Sequence, residues 1–426
     1  MSDALNQRPL TARLLATDGV VTLDRYREAG GYEGLRAALA MSPEAIIASV
    51  REAGLRGRGG GGFPTAVKWS LVPDTPVQKY VIANGDEMEP GTFKDRLLLE
   101  RDPHQLIEGM AIAARAIGAS VGYVFLRAEY FEAARQVSAA IADAQAAGWL
   151  GDDLQGSGFS FHLHLHTSAG RYICGEETAL ISSLEGGRAI PRAKPPFPAV
   201  AGLFGKPTVV NNIETLCNVP HILRLGADWY RGLSRTDEGG TKLYGVSGKV
   251  RRPGCWELPM GTTAREIIET HAGGMRDGLK LRGFLPGGAS TDFLTDAQLD
   301  LPMDYTHIAK SGSRLGTGTM ILLDDRTSLL GMLRNLETFF ARESCGWCTP
   351  CRDGLPWTAK LLGELEAGRG RPEDLELLAR QTRLLAPGRT FCAHAPGAME
   401  PLQSALKHFR EDFERALAPA AIGEAA

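Results

Sequence analysis

No stretch of this 426-residue sequence is long and apolar enough to cross a bilayer: its most apolar run, Met110 to Phe125, is short and broken by Arg115. The opening residues, MSDALNQRPL, lack the apolar core of an export leader, so a soluble, cytoplasmic chain with no direct membrane insertion is expected. Neither sign of charge dominates. With 47 Lys and Arg against 50 Asp and Glu the net charge is −3, which leaves no basic excess to bind nucleic acid. Cysteine is scarce, at seven residues, and without a leader these do not read as a disulfide framework; metal or redox chemistry gains weight instead. Glycine is what the chain has in excess. Its 51 glycines are about 12% of the residues against a usual ~7%, so many backbone positions need positive φ or close approach to something.

The length suits roughly three domains. Leu35, Leu39, Ile46, Ile47 and Val50 repeat at helical spacing and predict two short helices over residues 33 to 54, ending at Gly54. Tyr80 to Ala83 reads as a buried strand that breaks into an acidic turn, and GASVGYVFL holds a second strand between helices at 104–117 and 129–147. This alternation predicts an α/β domain with a Rossmann-like parallel sheet. Residues 185 to 212, with five prolines, read as a long functional loop with little secondary structure. Short strands near 242–250, 281–285 and 319–323 around a helix at Ala264 to Ala272 predict a small β-grasp (ubiquitin-like) domain. From Ser328 the chain reads as a C-terminal helical bundle whose alanine-rich tail frays after Phe409. The expected divisions are 1–240, 241–326 and 327–426.

Four of the seven cysteines fall in the last quarter. Cys345, Cys348 and Cys351 stand in SCGWCTPCRDG as C-x2-C-x2-C, and Cys392 follows 41 residues after Cys351. Zinc sites use separate pairs of cysteines, each supplying two ligands to one ion. Three consecutive steps with a remote fourth thiol suit a [4Fe-4S] cube better, as in ferredoxin runs. A zinc ion held by the same four thiolates, or a set of unrelated thiols, is the alternative; His394, two residues after Cys392, is an alternative ligand, though a place beside the ligands suits it better. Cys174, Cys217 and Cys255 stand alone and read as small buried hydrophobes.

Gly57, Gly59 and Gly62 formally match G-x-G-x-x-G, but a helix rather than a strand precedes them, so the fingerprint carries little. The run Gly59 to Gly62, flanked by Arg58 and followed by Phe63 and Lys68, still suits a phosphate-bearing ligand, because backbone N–H groups without side chains approach phosphate closely. Asp86, Glu87 and Glu89 follow the first strand, and Glu176 and Glu177 follow Cys174-Gly175, where carboxylates meet ribose or flavin hydroxyls in open α/β sheets. Glu89 is the expected carboxylate for the adenosine ribose. His162, His164 and His166 alternate as on one face of a strand; a plain half-buried strand is expected there rather than a metal site.

The segments GRGGGGFP, NGDEMEPGTFKDR, YICGEETALISSLEG, KPPFP, KPTVVNNIETL and ESCGWCTPCRDGLPW together resemble the NADH-binding flavoproteins of respiratory complex I, the family of the bacterial F-type or 51 kDa subunits. The likeness spans nearly the whole chain and extends to diaphorase subunits of NAD-linked hydrogenases and formate dehydrogenases. Two small departures, GGGGF for the common GGAGF and NGDE for NADE, exchange small residues only.

The resemblance implies an enzyme that oxidises NADH by hydride transfer to FMN and passes single electrons through a [4Fe-4S] cluster to quinone by way of partner subunits. It implies FMN at Gly57, Arg58, Gly59, Gly60, Gly61, Gly62, Lys68, Asn84, Asp86, Glu87, Tyr172, Gly175, Glu176, Asn211 and Asn212. It places NADH against Phe63, Phe197, Glu89, Glu177 and Lys194, and the cluster on Cys345, Cys348, Cys351 and Cys392, with no side chain acting as general acid or base. The implied partners are the 24 kDa (E-type) and 75 kDa (G-type) iron-sulfur subunits, and the implied location is peripheral to the inner membrane through the complex. A diaphorase component of a soluble NAD-linked enzyme and a non-enzymatic zinc-stabilised scaffold are the other readings.

Overall fold

A computed structural model describes residues 7–417. The two short helices foreseen before the glycine run are α1 (Glu33–Leu39) and α2 (Pro43–Glu52), the second capped by Ser42 and closed by Gly54 at φ +68°. Beyond the glycines, α3 (Thr65–Ser70) carries Lys68 and the buried Trp69. Strand β1 (Tyr80–Gly85) follows, then α4 (Lys94–Arg101) and α5 (Pro103–Ile117). Helix α5 begins on Pro103 and stops at Gly118, φ +73°, so its ends obey the proline-first, glycine-last rule. Leu106, Ile107, Met110 and Ile112 on it are fully buried, each contributing about 1.5–3 kcal/mol of transfer free energy.

After β2 (Val121–Leu126) come α6 (Phe131–Ala146), β3 (His162–Thr167), α7 (Glu177–Leu184), β4 (Thr208–Asn212) and α8 (Ile213–Leu225). All four strands are parallel, in the order β3-β2-β1-β4. Helices α5, α6 and α8 cover one face, while α7 and the turn at Leu203 pack on the other around Ile82, Phe125 and Val210. The chain leaves β1 toward β2 and returns on the opposite side as β4, so the order reverses between β1 and β4. Open α/β sheets bind ligands in the crevice at such a reversal. Strand β4 corrects the expected loop over 185–212: Thr208, Val209 and Val210 are strand formers, but five residues between loop prolines and α8 carry too little periodicity to stand out.

The second sheet, β5 (Thr241–Ser247), β6 (Gly254–Pro259), β7 (Leu281–Leu285) and β8 (Thr319–Asp324), has the order β6-β5-β8-β7 with β5 and β8 parallel. With the helical turn at 264–271 packed on β5, this is the β-grasp arrangement. The last unit packs α9 (Leu329–Glu343), α10 (Thr349–Glu366), α11 (Pro372–Leu384) and α12 (His394–His408) around Leu333, Leu336, Phe340, Leu362 and Leu402. Phe409 does not begin a frayed tail: Arg410–Arg415 form a further helix with Phe413 buried, and the tail past 417 lies outside the described residues.

Candidate functional site

The glycine run sits at the sheet's reversal. Gly57 N–H donates to Phe63 O at 2.9 Å, which closes residues 57 to 63 into one loop. A Cβ at position 59 would lie 2.8 Å from Asn212 Cβ, so only glycine lets the loop rest on the end of β4. A Cβ at Gly60, Gly61 or Gly175 would meet nothing within 4 Å: the far side of the loop and the turn opposite it are open space. Arg58 does not face that space. Its guanidinium is fully buried and donates to Tyr230 Oη and Gly239 O, while its own N–H donates to Thr215 Oγ1.

Asn84 and Asn212 are register partners at the carboxyl ends of β1 and β4. Asn84 Nδ2 donates to Cys174 O and Gly175 O at 3.4 and 3.2 Å, joining β1 to the turn Tyr172–Gly175. Asn212 is held from behind by Asp95 and Lys94, and Asn211 accepts from Trp69 Nε1 at 2.9 Å. Asp86 is buried, and its Oδ1 has no partner within the protein. Burial pushes its pKa up to about 7. Glu87, by contrast, is spent locally: its carboxylate accepts the N–H groups of Lys94, Asp95 and Arg96 at the start of α4 and the Tyr130 hydroxyl.

A ladder of charges borders the crevice. Lys68 Nζ donates to Glu177 Oε2 at 2.7 Å and to Val210 O, and Lys194 Nζ reaches Glu176 Oε1 and Glu177 Oε1 at 3.0 and 3.2 Å. Burial opposes the Glu177 carboxylate, yet Lys68 and Lys194 outweigh it and hold its pKa below the ordinary value. Phe63 and Phe197 are exposed, at 51% and 55%. Glu89 accepts from Tyr172 Oη and from Ser290 N, both at 2.6 Å, which ties the β-grasp unit to the same turn. Ser290 carried no signal in the sequence, because 201 residues separate it from Glu89.

Cys345, Cys348, Cys351 and Cys392 line one cavity with Ile173 and His394. The cysteine loop turns at Gly346, φ +77°, and Cys348 then caps α10. Burial and the three neighbouring thiols push Cys351 up to about 12. Among the described residues no three His, Cys, Asp or Glu side chains gather as ligands of one ion do. Four soft sulfur donors around a shared cavity suit an iron-sulfur cube. Ile173 belongs to the turn whose Cys174 and Gly175 carbonyls Asn84 holds, so one turn reaches both the cysteine cavity and the end of β1. Of the single cysteines, Cys174 and Cys217 are buried and Cys255 is only half-buried. His164 and His166 lie over the rings of Tyr123 and Phe125, and His162 faces Asp152 at 3.3 Å.

Three family models match the chain: the Nuo51 FMN-binding domain over residues 50–221, the SLBB domain over 243–293, and the NADH-ubiquinone oxidoreductase-F iron-sulfur binding region over 331–416. The F-type NADH-quinone oxidoreductase subunits of Salmonella typhimurium and Escherichia coli are each 60% identical over 409 residues, 95% of this chain and 92% of theirs. That of Streptomyces coelicolor is 47% identical over 407 residues, 95% of this chain and 90% of its own. Among solved structures, the NAD+-reducing [NiFe]-hydrogenase in its H2-reduced state superposes with a TM-score of 0.84 at 37% identity, covering 97% of this chain and 67% of that one.

Proposed function

This chain belongs to the family of F-type NADH-quinone oxidoreductase subunits, and from that premise we propose how its residues divide the work. It is an oxidoreductase subunit of complex I that oxidises NADH and holds FMN and a [4Fe-4S] cluster. When bound, FMN converts a two-electron hydride into single electrons, and the cluster accepts those one at a time.

The open side of the Gly59–Gly62 loop receives FMN, with backbone N–H groups and Lys68 toward its phosphate and Asn84, Asp86, Gly175, Asn211 and Asn212 around its ring. The unpaired Oδ1 of Asp86 and the open space over Gly60, Gly61 and Gly175 support this fit. Phe63 and Phe197 stack the dinucleotide, and Glu177 and Lys194 hydrogen-bond the rest of it, while Glu89, its two oxygens accepting from Tyr172 and Ser290, holds the adjoining turn. Arg58 and Glu87 support the site from behind, by fixing the loop and the start of α4. The four cysteines bind the cluster as thiolates. No residue moves a proton in the chemical step; the chain orients the nicotinamide against the ring and excludes water.

The divisions 1–240, 241–326 and 327–426 serve as the FMN and NADH unit, an SLBB-like β-grasp connector and the cluster unit. The electrons leave to iron-sulfur subunits of the complex, the 24 kDa (E-type) and 75 kDa (G-type) partners. Attachment to the inner membrane runs through those partners; separately, among the described residues no helix is long and apolar enough to cross a membrane. The likeness to the NAD+-reducing hydrogenase favours a second reading, a diaphorase that passes its electrons to another acceptor.

One observation carries the proposal: the turn Tyr172–Gly175, whose Cys174 and Gly175 carbonyls accept from Asn84 at the crevice, also supplies Ile173 to the four-cysteine cavity. The test is anaerobic purification, with flavin and iron assays, a visible spectrum and NADH-ferricyanide turnover. One FMN and four irons per chain with turnover are expected, and a colourless, flavin-free zinc protein overturns the reading.

A further inference from the structure

The turn Tyr172–Gly175 is held from two sides. Toward the crevice, Asn84 Nδ2 binds its carbonyls. Toward the cysteines, Glu343, the last residue of α9 and two before Cys345, accepts the Tyr172 N–H at 3.1 Å and faces Arg171 Nε at 3.6 Å. Arg171 Nη2 also donates to Arg342 O and Ser344 O, at 3.3 and 3.2 Å. These are carbonyls at the open C-terminal end of α9, where a cation is favoured. Ser344 Oγ in turn lies 3.2 Å from Cys351 Sγ.

Glu343 is an odd residue for its place. A carboxylate at a helix C-terminus opposes the helix dipole, and this one is only 9% exposed. Arg171 and Arg342, the latter 3.4 Å from Oε1, offset that cost. The Tyr172 ring packs edge-on against Phe340 and His394, with centroids 5.8 and 5.4 Å apart, but apolar packing alone lets two surfaces slide. A charged clamp with directional hydrogen bonds does not.

We propose that Arg171 and Glu343 are positioning residues for electron transfer, locking the flavin-side turn onto the cysteine loop and so setting the gap the electrons cross. The inference rests on the FMN placement given above. Each crossing oxidises the reduced flavin by one electron and reduces the cluster by one, and two crossings remove the pair that arrived as hydride.

The test uses the assembled, cofactor-loaded enzyme with Glu343→Ala, Glu343→Gln and Arg171→Gln. Rapid-freeze paramagnetic resonance follows cluster reduction after mixing with NADH. Ferricyanide turnover, which draws electrons at the flavin, and FMN and iron contents are measured alongside. Glu343→Ala and Arg171→Gln are expected to keep both cofactors and ferricyanide turnover, to slow cluster reduction by up to about a hundredfold, as misplacement near 1 Å costs in a positioned reaction, and to alter the cluster's line shape. Glu343→Gln retains an acceptor for the Tyr172 amide and recovers part of the rate. A wild-type rate and line shape in Glu343→Ala overturns the proposal. So does an equal loss of ferricyanide turnover, or loss of the cluster in both Glu343→Ala and Arg171→Gln, since the pair would then hold the flavin site or the cysteine loop itself. Absence of flavin reduction or of any cluster signal in the wild type overturns the functional reading instead.

Discussion

Gly59 lies so close to Asn212 that a single methyl group at position 59 would sit 2.8 Å from the asparagine Cβ. The loop and the end of β4 therefore form one surface, and FMN affinity is expected to depend on that contact. Gly59→Ala is expected to destabilise the flavin-free protein by about 1–3 kcal/mol, the usual cost of overpacking. Gly61→Ala, which meets no protein atom, is expected to leave the flavin-free melting temperature unchanged while weakening FMN binding. Thermal melts and flavin titrations of both variants check this; equal FMN affinity in Gly61→Ala and wild type would refute the loop's role.

Cys348→Ser removes one corner of the cysteine cavity. The expected outcome is loss of the cluster's paramagnetic signal with NADH-ferricyanide turnover retained, because the Lys68, Asn84 and Asn212 side of the site is built from other elements. Iron content and turnover on the same sample decide it.

Dinucleotide choice is expected to depend on the ladder of Lys68, Glu177, Lys194 and Glu176, two charges of each sign. Both Glu89 oxygens are engaged by Tyr172 and Ser290, so Glu177 is the carboxylate better placed to repel a 2′-phosphate. Glu177→Gln leaves the ladder at +1 and is expected to raise the NADPH-to-NADH ratio of kcat/KM at least tenfold, about 1.4 kcal/mol of relieved repulsion. A larger change in Glu89→Gln than in Glu177→Gln would return the role to Glu89.

Asp86 has a definite pH signature. Its folded pKa is raised from 3.8 to about 7, so between those values the folded state binds more protons than the unfolded one. Stability therefore falls as pH rises through that window. In flavin-free protein the melting temperature of Asp86→Asn, relative to wild type, is expected to increase as pH goes from about 4 to about 7. A constant difference across that window would show that Asp86 is not buried as a carboxylic acid.

Much of this was legible in the sequence because it is local. Cysteine spacing along a few residues specifies an iron-sulfur ligand set, a run of four glycines between Arg58 and Phe63 marks close backbone approach, and the period of Leu35, Leu39, Ile46, Ile47 and Val50 marks helix faces. What was hidden depends on pairing between distant segments. Strand β4 was lost in a proline-rich loop until β1 paired with it. Glu87 and Glu89 look alike in NGDEMEPG, yet one caps α4 and the other clasps Ser290.

Residue type and short-range spacing by themselves pointed to an iron-sulfur ligand set and to a phosphate-bearing ligand, because thiolate corners and close backbone approach each demand particular atoms at particular intervals; FMN and NADH were implied by the resemblance of the whole motif set. Only the tertiary structure decided which of those residues face the crevice. Arg58 was turned inward to Gly239, Asn84 was set beside Asn212, and Arg171 was clamped to Glu343. Such contacts are made across more than a hundred residues by burial and strand register, and register depends on the partner strand as much as on the strand itself.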